Sequence, residues 1–89
     1  MLRISPGDPR ESPPLLRLEG KLIGPWVDEF REACEKRSAA GGKLNLDLAA
    51  VTYVDRPGLE LLFEMIAGGT AIIACSALVG ELLHKESRS

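Results

Sequence analysis

The residues of this 89-residue chain that could do chemistry meet in the run Thr52 to Gly58, "TYVDRPG". A β-branched and aromatic stretch ends there in an acid, a base, a proline and a glycine, and an apolar helical pattern follows at once. Asp55, placed after a strand, has the position of a phosphoacceptor carboxylate. That chemistry also needs an acidic pair after the first strand and a lysine after a late one, to hold Mg²⁺ and phosphate. The comparable places read Gly-Lys-Leu and Ala-Cys-Ser. A carboxylate just before a helix is also a common cap, accepting backbone N–H bonds.

No other constellation supplies a reaction. An enzyme needs a nucleophile, a base and an oxyanion or metal site brought together. The chain has a single histidine, His84, and no GxSxG, HExxH or Walker-type glycine loop. Cys34 and Cys75 lie far apart with no CxxC pair, each within an apolar pattern, so both read as buried, reduced thiols. With His84 they have no zinc spacing, and no metal or cofactor is expected.

Size and charge point the same way. At 89 residues there is room for one domain, residues 1–89, with a thin core that would hardly support catalytic strain. Lys and Arg total 11 against 13 Asp and Glu, interleaved along the chain, which leaves no basic footprint for nucleic acid. The apolar runs are far shorter than the roughly 20 residues that cross a bilayer, and no basic-then-apolar leader opens the chain. A cytoplasmic protein without direct membrane insertion is expected.

The elements that must position the 52–58 run can be read from periodicity. Leu2 and Ile4 alternate in a short strand; Pro6 to Pro14 holds four of the six prolines and reads as loop, making 1–14 a strand plus a Pro-rich loop. Leu16 and Leu18 share a face of a second strand that bends at Gly20. Pro25 suits a first helical position, and Trp26 or Val27, Phe30, Ala33 and Cys34 form the stripe of a helix ended by Gly41 and Gly42. Leu44, Leu46 and Leu48 face one side of the next strand, with Asp47 expected near the sheet's C-terminal end. Pro57 disfavours α conformation at Arg56, so the second helix should begin near Pro57, with Leu59, Leu62, Phe63 and Ile66 inward. "TAIIAC" reads as an interior parallel strand, Ser76 caps a last helix, and 84–89 reads as a polar tail.

Strands and helices thus alternate into an α/β fold. In such folds, helix N-termini present bare N–H groups at the C-terminal ends of the strands, where Asp55 lies. Gly58 leaves its turn without a side chain, so that a partner's backbone could approach.

The stretch "LNLDLAAVTYVDRPGLELL" resembles the signature of STAS domains, the modules of sulfate transporters and anti-sigma-factor antagonists, in which an apolar strand runs into a D-S-[S/T]-G-L turn and a helix. "LLRLEGKLIGPWVDEFREA" and "TAIIACSALVGELL" are similar to flanking parts of that family, in the same order, over about residues 15–83. The resemblance implies a mixed sheet of about four strands flanked by about three helices, and a non-enzymatic role in binding other proteins. It places the docking face at Asp55, Arg56, Pro57 and Gly58, with Ser76 in the adjoining turn.

In the antagonists the second hydroxyl of that turn is phosphorylated, and this switches docking off. The position here is Pro57, which has no oxygen to phosphorylate, and the preceding serine is Arg56, a fixed cation suited to an acidic partner. The expected partner is a kinase-type anti-sigma factor or a related ATPase, bound without a phospho-switch. The alternatives are a structural subunit on the ATPase of a lipid-transport ABC complex, or a homo-oligomeric scaffold. The family also continues with a further strand and helix, so an open sheet edge is expected that a partner or second copy could fill.

Overall fold

The computed structural model describes residues 2–7, 10, 13–37 and 43–87, with side chains as far as His84. Its order is β1 (Leu2–Pro6), β2 (Leu15–Leu22), α1 (Pro25–Arg37), β3 (Asn45–Val54), α2 (Arg56–Ala67), β4 (Ala71–Cys75) and α3 (Ala77–Ser87). The strands form one mixed sheet in the order β1-β2-β3-β4. The β1-β2 pair is antiparallel, and β2-β3 and β3-β4 are parallel. This is the α/β architecture expected from the alternation of strands and helices.

One apolar core joins the sheet to all three helices. Leu18, Leu22, Leu46 and Leu48 on the strands meet Val27, Phe30 and Cys34 of α1, Leu59, Leu61 and Leu62 of α2, and Val79 of α3. Each fully buried leucine or phenylalanine contributes about 1.5–3 kcal/mol. The opposite face carries exposed Arg17, Glu19, Lys21 and Tyr53, so the helices cover one side of the sheet. Trp26 is half-buried against the core while Phe30 is wholly inside it, as a helix stripe requires.

The strands depart from ideal register at informative places. Between Arg17 and Glu19, and again between Gly20 and Lys21, β2 and β3 slip relative to each other. Gly20 takes φ +101°, which accounts for the bend expected there. These irregularities let β3 run on through "AAVTYV" to Val54, with Val51 and Val54 still facing the core. Asp47 therefore lies in the first half of β3 and not near the sheet's C-terminal end. It accepts bonds from Arg17 Nε at 3.2 Å and from the N–H of Ala49 at 3.0 Å, beside the slip.

Four expectations need correction. Among the described residues β4 pairs only with β3 and is an edge strand; an unbroken apolar run does not by itself distinguish an edge from an interior strand. Cys75 is accordingly exposed, with its Sγ 3.3 Å from where a Cβ on Gly80 of α3 would lie, whereas Cys34 is buried. Ile66, in the last turn of α2, is 40% exposed and does not face inward. Finally, α3 continues to Ser87, so most of the expected polar tail from His84 is helical, since lysine and glutamate sustain a helix well. Gly41 and Gly42, expected to end the first helix, lie outside the described residues; α1 itself ends at Arg37.

Candidate docking surface

Because β2, β3 and β4 run parallel, their C-terminal ends lie at one end of the sheet and each leads straight into a helix. The entrances to α1, α2 and α3 are therefore neighbours, at Gly24–Pro25, Asp55–Arg56 and Ser76–Ala77. Helix starts carry backbone N–H groups without intrahelical partners, and side chains or solvent must satisfy them.

Asp55 satisfies donors at two entrances. Its backbone is extended, with φ −84° and ψ 179°, and its Oδ1 accepts the N–H of Gly58 at 3.0 Å, the N-cap bond of α2. Its Oδ2 accepts the N–H of Gly24 at 2.9 Å, at the entrance to α1. Its own N–H donates to the carbonyl of Leu22 at 3.2 Å. Gly24 has φ +53°, a conformation that side chains other than glycine's rarely adopt. The single carboxylate thus fixes β2's exit, α1's entrance and α2's first turn relative to one another. Sequence reading foresaw the cap and missed the bond to Gly24, since local patterns do not reveal a contact across 31 residues.

Helix α2 begins at Arg56, one residue before Pro57, because the Asp55 cap and the Leu59 N–H to Asp55 O bond of 2.9 Å hold Arg56 helical despite the proline that follows. Arg56 and Pro57 are both exposed. Arg56 has a local partner that the sequence reading did not foresee: its Nε lies 3.5 Å from Glu60 Oε1, one turn on, with both side chains about 70% exposed. Such i,i+4 surface pairs are worth about 0.3–0.5 kcal/mol.

Gly58 has a different role from the one expected. It is buried, and a Cβ there would lie 2.8 Å from the carbonyl oxygen of Leu22 and 3.0 Å from Val54 Cγ1. The backbone that approaches its bare Cα is the chain's own. Of the four residues at the turn, Arg56 and Pro57 face solvent, while Asp55 and Gly58 hold the turn in place.

Ser76 anchors the third entrance. Its Oγ donates to the carbonyl of Val51 at 2.7 Å and accepts the N–H of Val79 at 3.3 Å, so it caps α3 and ties it to β3. Thr52 Oγ1 donates to the carbonyl of Gly20 at 3.2 Å. Leu78, in the first turn of α3, is 39% exposed at this same end of the sheet and was read only as part of a helical segment.

Elsewhere, a cavity of about 210 Å³ opens between α1 and α2, lined by Cys34, Leu44, Leu61, Met65 and Thr70 beneath the Arg31–Glu64 ion pair. It is smaller than the roughly 300–1,000 Å³ of ordinary ligand pockets. Burial, helped by the negative charge of Glu35, pushes the Cys34 thiol up to about 12, so it is no nucleophile near neutral pH. Among the described residues no three His, Cys, Asp or Glu side chains group as metal ligands, and no helix is long and apolar enough to cross a membrane.

The family model described as "STAS domain" matches residues 7–75, which takes in β2, α1, β3, α2, β4 and the capped Asp55 turn. No curated protein matches the chain. STAS domains are non-catalytic modules that act by binding other proteins. With a match across most of its length and the mixed four-stranded sheet flanked by three helices, this chain belongs to the STAS domain family.

Proposed function

We propose that this chain is a single regulatory domain, residues 1–89, that docks onto a partner protein through the start of α2, and that the docking is not switched by phosphorylation. Arg56 and Pro57 make the contact, Asp55, Gly58 and Ser76 hold the surface in shape, and Leu78 lies at the adjoining entrance. The observation that carries the reading is the pairing of two exposed residues with a turn whose neighbours are all internally bonded. A contact surface that is already ordered loses little entropy when a partner arrives.

The chemistry of the turn argues against a phospho-switch. No residue from Asp55 to Gly58 has a hydroxyl. Of the nearby hydroxyls, Thr52 and Ser76 donate to the carbonyls of Gly20 and Val51, and Tyr53 lies on the open face of the sheet, away from the helices. The exposed guanidinium of Arg56 suits a carboxylate-bearing surface, since its pair with Glu60 is weak enough to exchange for a partner's acid. A cytoplasmic anti-sigma factor of the kinase type, or a related signalling ATPase, is the class of partner this reading favours.

The test is affinity capture from the native host with three baits: wild type, Arg56→Glu and, on the far edge strand, Arg3→Glu. A protein retained by wild type and by Arg3→Glu, and lost with Arg56→Glu, supports docking at the α2 start. Retention by all three baits moves the interface elsewhere and overturns the proposal.

A further inference from the structure

We draw no further inference here: the strongest candidate, the cavity of about 210 Å³ between α1 and α2, takes its lining from Glu35 and Leu44 on either side of residues 38–42, which lie outside the described residues, so nothing in the structure shows what fills or covers it.

Discussion

Asp55 Oδ2 accepts the N–H of Gly24 at 2.9 Å while Oδ1 of the same carboxylate accepts the N–H of Gly58 at 3.0 Å. The exit of β2 and the start of α2 are thereby held by one side chain, and the surface made by Arg56 and Pro57 inherits that rigidity. Replacing Asp55 by alanine removes a helix cap and a second charge-assisted bond together. The expected cost is about 2–3 kcal/mol. Asp55→Asn keeps one good acceptor and should lose about half as much. Urea denaturation of the two variants beside wild type measures both.

Gly58→Ala should destabilise for a steric reason. The new Cβ would lie 2.8 Å from the Leu22 carbonyl oxygen, a backbone atom that cannot rotate away, and 3.0 Å from Val54 Cγ1. Forced overpacking of this kind costs about 1–3 kcal/mol. Thermal denaturation should show the loss, and amide exchange should quicken at Asp55, whose N–H bonds to that carbonyl.

The cysteines should separate by reactivity. Cys75 is exposed and Cys34 buried, so a thiol reagent at neutral pH should titrate one thiol at once and the second only on unfolding. The Cys34 thiol has its pKa raised from 9.0 to about 12 by burial and by Glu35. The folded protein therefore holds that proton more tightly than the unfolded chain. Its contribution to stability is complete below about pH 9 and is lost as pH rises toward 12. Cys34→Val should show a shallower loss of stability across that window than wild type.

Pro57→Glu places a permanent charge where a phosphate would sit in a switched relative. An acid in the first turn of a helix interacts favourably with the helix dipole, so stability should be unchanged or raised by about 0.3–1 kcal/mol. Partner binding should nevertheless fall, because the charge opposes the acidic surface expected to meet Arg56. Loss of stability together with loss of binding would mean that Pro57 acts through the fold instead.

Much of this was legible in the sequence, for identifiable reasons. Pro25 and the Asp55-Arg56-Pro57-Gly58 run marked two helix starts, because caps and proline act within a few residues. Ser76 was legible as a cap for the same reason. What was illegible depends on contacts between distant segments. The edge position of β4 among the described strands, and with it the exposure of Cys75, follows from strand order, which periodicity does not encode. The burial of Gly58 against Leu22 and the bond from Gly24 to Asp55 arise only when β2 and β3 lie side by side. Asp47 was misplaced along the sheet because the register slips that lengthen β3 leave no compositional mark.

The central claim is that the capped start of α2 is where a partner touches this domain. Amide hydrogen exchange of the complex with the captured partner, compared with the free domain, tests it most directly. The account predicts slowed exchange at Arg56 and the first turns of α2 and α3, with β1 and the open face around Lys21 unchanged. Protection confined to β1 or the open face, with Arg56 exchanging as fast as in the free protein, would contradict it.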